Sequence, residues 1–136
     1  MNEYDIMIID EDPQELAMLR THLENRGYKN VEACSSALKA LELIEDKKYH
    51  IIIMELQFSE IDGIDLLRRI RAYDPLAQVV VLTGQSTIEH ILTCLECGAN
   101  DYIPKRLESL EDLFEAVGFS VRKLERWKNA IKELVK

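Results

Sequence analysis

Basic residues are in short supply. The 136 residues carry 17 Lys and Arg against 25 Asp and Glu, a formal net charge of −8. Phosphate backbones are bound by cationic surfaces, so nucleic acid is not expected as a direct partner of this segment; a DNA-binding domain elsewhere in a longer protein stays open. No apolar run approaches the ~20 residues that span a bilayer. The opening residues Met1-Asn2-Glu3-Tyr4-Asp5 lack the basic start and apolar stretch of a signal peptide. A cytoplasmic location without a membrane partner is the expectation. The three cysteines, Cys34, Cys94 and Cys97, are an odd count and offer no disulfide framework. Cys94 and Cys97 form a CxxC pair, but a zinc site needs two more soft ligands, and no second CxxC or His pair supplies them. Buried thiols on a helix face are the expectation. Repeats, low-complexity tracts and linker-like stretches are also lacking.

What is present is enough for one domain. The length favours a single unit, and 47% hydrophobic with 31% charged residues lets it bury a core and stay soluble. Short apolar runs alternate with amphipathic helical stretches. Tyr4 to Ile9, Lys29 to Cys34, His50 to Met54, Gln78 to Leu82 and Asp101 to Ile103 read as strands. Several are apolar without alternation, as in parallel strands covered on both faces. Pro13 opens a first helix with Leu16, Leu19 and Leu23 on its apolar face, and Gly27 stops it. Ser35 or Ser36 caps a second carrying Ala37, Leu38, Leu41 and Ile44. A third starts near Asp62 or Gly63 and breaks at Asp74-Pro75; a fourth runs from about Ser86 to Cys97, closed by Gly98; a fifth runs from about Leu107 to the end. Strand–helix alternation with short connections predicts a three-layer α/β fold with a parallel sheet and helices on both faces.

In such sheets, sites lie at the carboxyl ends of strands. Asp10, Glu11 and Asp12 follow the first strand, Glu55 the third, Thr83 the fourth and Lys105 the fifth. Several carboxylates, a hydroxyl and an ammonium therefore converge on one edge. Clustered carboxylates repel and call for a cation, and hard oxygen ligands with room for water suit Mg²⁺.

These residues resemble the receiver domains of two-component systems over almost the whole chain. The resemblance rests on Ile8-Ile9-Asp10-Glu11-Asp12-Pro13, on Glu55 at the family's spacing before Asp62-Gly63, on Thr83, and on Gly98-Ala99-Asn100-Asp101-Tyr102-Ile103-Pro104-Lys105. It implies a doubly wound, flavodoxin-like (βα)5 sheet in the order 2-1-3-4-5 and a non-enzymatic signalling function in a phosphorelay. Residues 1–122 would be the receiver and 123–136 a helical extension. Glu55 stands at the phospho-acceptor position, where the family has Asp. Mg²⁺ would be held by Glu11, by Asp10 through water, by Glu55 and by the carbonyl of Gln57. Thr83 and Lys105 would hold the phosphoryl group, and Thr83 and Tyr102 would form the switch. A histidine kinase or other signalling proteins are the implied partners.

The departures from the family pattern matter. Phe58-Ser59 replaces Met-Pro, Arg106 follows the lysine in place of proline, and the acidic pair is Asp-Glu. A cis bond before a non-proline residue costs about 3–4 kcal/mol, so the Lys105–Arg106 bond is expected to be trans. The extra methylene of Glu55 displaces its carboxylate, and a shift of ~1 Å costs ~100-fold in chemistry that works by positioning. The longer arm also reaches toward Lys105 and Thr83. Three readings follow: a site locked active-like with Glu55 imitating the phosphorylated state, a pseudo-receiver acting as a phospho-independent dimerisation or adaptor module, or slow phosphorylation of a natural or engineered Glu55. An FMN protein or a phosphatase on the same fold is a different class. The first loop has carboxylates and no glycine-rich phosphate cradle, and beyond Asp10 and Asp12 the phosphatase pattern is not met.

The last helix shows a seven-residue apolar repeat. Leu107, Phe114, Val121 and Val135, interrupted by Lys128, are offset by three from Leu110, Val117, Leu124 and Ile131. That is the a/d pattern of a coiled coil. Val121, Leu124, Ile131 and Val135 are expected to lie beyond the sheet with Trp127 beside them, either pairing two protomers in a stalk that leads toward a C-terminal output domain or, as the alternative, folding back on their own domain or fraying.

Overall fold

Buried apolar runs set the sheet. Ile51, Ile52, Ile53 and Met54 are all buried, as are all six residues of Gln78–Thr83, because helices cover both faces. The computed structural model describes residues 3–84, 87–106 and 109–135. Its elements are β1 (Asp5–Ile9), α1 (Pro13–Asn25), β2 (Asn30–Cys34), α2 (Ala37–Asp46), β3 (Ile51–Met54), α3 (Gly63–Tyr73), β4 (Gln78–Thr83), α4 (Ile88–Glu96), β5 (Asp101–Pro104) and α5 (Ser109–Leu134). The five strands are parallel in the order β2-β1-β3-β4-β5. The predicted fold class is the observed one. Strand order reverses direction between β1 and β3, which opens the crevice where such sheets carry their sites.

Side chains alternate between two cores. Met7, Ile9, Ile52, Met54, Val79 and Val81 face α2, α3 and α4. Ile6, Ile8, Ile51, Ile53, Val80 and Leu82 face α1 and α5. Four helices begin at an oxygen-bearing side chain that accepts a backbone N–H, as N-caps do: Asp12 from Gln14, Ser36 from Lys39, Asp62 from Ile64 and Thr87 from His90. Gly27 and Gly98 adopt φ of 96° and 102° after α1 and α4, a left-handed turn that favours glycine. The expected helix starts at Ser86 and Leu107 lie outside the described residues. Cys94 is buried on α4, where burial pushes its thiol up to about 11. The Lys105–Arg106 bond is trans.

The last helix corrects one expectation. Val121 and Leu124 do not project beyond the sheet: both pack against the α1–α5 core. The same stretch is tied to the N-terminus, with the Tyr4 hydroxyl donating to Glu125 Oε1 at 2.6 Å and Lys128 Nζ 3.5 Å from Glu3 Oε2. Phe119 is exposed on the same helix, and beyond Leu124 the exposed apolar residues are Trp127, Ile131, Leu134 and Val135. Among the described residues no helix is long and apolar enough to cross a membrane.

Candidate functional site

The strand ladder continues one residue past β1 and β3 and so delivers the site. Asp10 N–H donates to the Cys34 carbonyl at 3.2 Å and Glu55 N–H to the Ile9 carbonyl at 3.0 Å. Lys105 N–H bonds the carbonyl of Thr83 at 2.9 Å, fixing the loop after β5 against the end of β4. Asp10, Glu55 and Thr83 are all buried, at 6%, 5% and 0% exposure. Burial of two carboxylates at this depth demands compensation.

Lys105 supplies it. Its Nζ lies 2.9 Å from Glu55 Oε2, 3.0 Å from Asp10 Oδ2 and 3.7 Å from Glu15 Oε1. The Thr83 hydroxyl donates to Glu55, and Glu55 Oε1 accepts the Leu56 N–H at 2.6 Å. Burial alone would push the Glu55 carboxyl up, but the bonds from Thr83, Lys105 and Leu56, with the charge of Lys105, outweigh it and hold the group below its ordinary range. Burial would likewise depress Lys105, yet Glu55 and Asp10 lift its ammonium above the usual value. The Glu55 carboxylate thus meets both the lysine and the threonine.

Gly63 explains the Asp62-Gly63 pair physically. A Cβ at that position would collide with the backbone of Leu56, the residue after Glu55. The first turn of α3 therefore packs directly on the loop that holds Glu55, and only glycine allows the approach. Tyr102 is half-buried, packs against the core beneath α2–α4, and pairs in register with Val81.

Two loop contacts were not foreseen. Glu11 turns away from the ion pair: Ser59 N–H donates to its Oε1 at 3.0 Å and the Ser59 hydroxyl to its Oε2 at 2.6 Å. Glu60 caps α2 from a distance, accepting from Ala37 N at 2.9 Å and from the Ser36 hydroxyl at 3.0 Å. The loop from Leu56 to Asp62 is thus pinned at two successive residues, Ser59 and Glu60. Ser59 stands where the resemblance has proline, and that substitution is the one sequence signal that could have pointed to the contact, since proline has no N–H to give. A cleft of about 420 Å³ beside the ion pair is bounded by Glu11, Gln57, Phe58, Asp62 and His90.

The donor set does not fit Mg²⁺ as it stands. Asp10 and Glu55 share an ammonium, and both oxygens of Glu11 are engaged by Ser59. Among the described residues no three Asp, Glu, His or Cys side chains are grouped to hold a metal ion.

The fold and the residues at its carboxyl edge define the class as a phosphorelay receiver. The chain belongs to the response regulator receiver domain family, whose family model matches residues 6–118. Among curated proteins it is 32% identical over 104 residues to the transcriptional regulatory protein ZraR of Escherichia coli O157:H7, covering 76% of this chain and 23% of that protein. It is 32% identical over 107 residues to a putative response regulator, NtrX-like, of Rickettsia typhi, covering 77% of this chain and 22% of that one. The chain therefore spans less than a quarter of the length of these relatives. Among solved structures, a two-component response regulator from Clostridium difficile aligns with a TM-score of 0.83 at 30% identity, covering 90% of this chain and 98% of that one.

Proposed function

We propose that this receiver signals without being phosphorylated, because Glu55 occupies the acceptor position and imitates the phosphorylated state. The observation that carries the reading is the 2.9 Å contact of Glu55 with Lys105 together with the hydrogen bond from Thr83. A phosphoryl group on an acceptor aspartate would present negative oxygens to a hydroxyl and an ammonium; here the longer carboxylate presents its own. Thr83 and Tyr102 form the switch, held in one setting. The domain acts through protein contacts and not as an enzyme. The acids a phosphatase would need are occupied, Asp10 by Lys105 and Asp12 as the cap of α1.

Magnesium binding is weak, at or above the millimolar range, because Asp10, Glu11, Glu55 and the Gln57 carbonyl could hold the ion only once Lys105 and Ser59 release the three carboxylates. Lys105 already neutralises the buried carboxylates, so the ion has little left to compensate. A histidine kinase or another cytoplasmic signalling protein is the partner, with an output domain in the longer protein. The exposed residues Trp127, Ile131, Leu134 and Val135 favour a homodimer paired along the end of α5. A free apolar helix end is marginal in water, and an apolar patch marks an association surface.

The test is incubation with Mg²⁺ and acetyl phosphate, read by intact mass, on the wild type beside Glu55→Asp. The wild type is expected to stay unmodified and Glu55→Asp to gain one phosphoryl mass. A phosphoryl group mapped to Glu55 itself sinks the mimicry. The pseudo-receiver reading takes over if Glu55→Gln leaves partner binding unchanged, since the carboxylate would then play no part in signalling.

A further inference from the structure

Glu11 is the acid best placed to be an open cation ligand, yet it is the most firmly engaged by a neutral partner. Both of its oxygens are taken by one residue, the backbone N–H and the hydroxyl of Ser59. The same loop is anchored again at Glu60, which accepts from Ser36 and from the first backbone N–H of α2. Two neighbouring residues of one short loop are thus each held by a charge-assisted contact. Such contacts are shorter and stronger than neutral ones. Behind them Lys105 sits between Asp10 and Glu55, in the place where a second cation would be repelled.

We propose that Ser59 is a positioning residue that keeps divalent cations out of this pocket, leaving the Lys105 ammonium as its resident cation. The inference rests on the reading of Glu55 as the acceptor position and adds how the site is regulated: its charge balance is set by the protein and does not follow the metal concentration. Turning Glu11 toward Asp10 and Glu55 to share a metal with them requires breaking two hydrogen bonds from Ser59. Only one of them depends on the hydroxyl, and the other exists because the residue is not proline.

The donor count of the side chain therefore predicts a graded series. Wild type and Ser59→Thr retain both donors, Ser59→Ala retains the N–H alone, and Ser59→Pro retains neither. Mg²⁺ titrated by calorimetry, with Mn²⁺ counted by electron paramagnetic resonance, should bind Ser59→Thr as it binds wild type. Affinity should rise about threefold in Ser59→Ala and about tenfold in Ser59→Pro, a tenfold gain being ~1.4 kcal/mol. The side-chain carboxyl carbon resonance of Glu11 should shift in the same order without metal. Adding Glu11→Gln to Ser59→Ala should abolish the gain, which a general loosening of the loop would not do. Ser59→Ala and its double variant decide the matter if Ser59→Pro fails to fold. Equal Mg²⁺ affinity across the series, or a gain that survives Glu11→Gln, overturns the proposal. So does sub-millimolar binding by the wild type. These outcomes are separate from the acetyl phosphate experiment, in which only modification of Glu55 counts against mimicry.

Discussion

Lys105 and Arg71 each reach across several elements, one at the carboxyl edge of the sheet and the other at the amino edge. Lys105 touches Asp10, Glu15 and Glu55, all of them carboxylates. Arg71 touches only neutral oxygens: its Nη1 donates to the carbonyls of Pro75 at 2.9 Å and Ala77 at 2.6 Å, and its Nη2 to the carbonyl of Gly98 and to Asn100 Oδ1 at 3.0 Å. Asn100 Oδ1 in turn accepts the Val79 N–H at 2.7 Å. The guanidinium therefore staples the end of α3 to the starts of β4 and β5. One cation answers charge and the other answers geometry. An edge held by charge can be reset by changing protonation or by adding an anion, whereas an edge held by carbonyls cannot. The contacts of Lys105 are switchable, while those of Arg71 form a fixed base on a rim that also carries His50 and the Lys47–Asp5 and Lys48–Asp74 ion pairs.

The largest effect should come from that base. Arg71→Met leaves several carbonyls unpartnered and should lower unfolding free energy by about 3 kcal/mol in urea titrations. Arg71→Lys should recover little, because an ammonium lacks the planar fork. The loss should be the same at pH 5 and pH 8, since none of these partners titrates there.

Lys105→Met should lose about 2 kcal/mol near neutral pH, leaving Glu55 and Asp10 buried beside each other without their cation. Its pH profile should set it apart from Arg71→Met. The folded Glu55 carboxyl is held below its ordinary value, so it contributes stability that is present above pH ~4.3 and lost as pH falls through the folded value. The folded Lys105 ammonium is raised, so its contribution is present below pH ~10.4 and lost as pH rises through the folded value. The deficit of Lys105→Met should shrink as acid protonates Glu55. A flat deficit would erase the distinction between the two rims.

The smallest effect on the fold should come from the free end of α5. Ile131→Ser changes an exposed residue, at 61% exposure, and should move the unfolding free energy by less than about 0.5 kcal/mol. It should nevertheless shift sedimentation of the chain toward monomer. An unchanged sedimentation profile together with a wild-type monomer would remove the stalk.

The architecture was legible because strand and helix periods report burial directly. Ile51–Met54 has no polar interruption and forms the central β3; Pro13, Asp62 and Gly98 mark helix limits through rules that need only local chemistry. The meeting of Glu55 with Lys105 and Thr83 was also readable, since strand order places their loops side by side. What could not be read depended on side-chain direction within a loop. Beyond the serine that stands in place of proline at Ser59, nothing in the sequence indicates that Glu11 turns toward Ser59 and away from Lys105, or that Glu60 reaches the start of α2. Arg71 went unnoticed because its partners are backbone carbonyls, which no residue type announces. Val121 and Leu124 were misplaced because a heptad pattern marks an apolar stripe without saying whether a sheet or a second helix covers it.

Helix α5 is one uninterrupted rod, 26 residues from Ser109 to Leu134. At 1.5 Å per residue it is ~39 Å long. Its near end is tied to the edge of the sheet, where the Ser109 hydroxyl donates to the Pro104 carbonyl at 3.0 Å and Arg106 pairs with Asp112 at 3.2 Å. Lys105 lies between those two anchors in the chain. The rod is no lever free to swing: it packs on the core from Leu113 to Leu124 and is tied by the Tyr4 hydroxyl at Glu125. The exposed stretch from Trp127 to Leu134 therefore takes its bearing from the body of the domain.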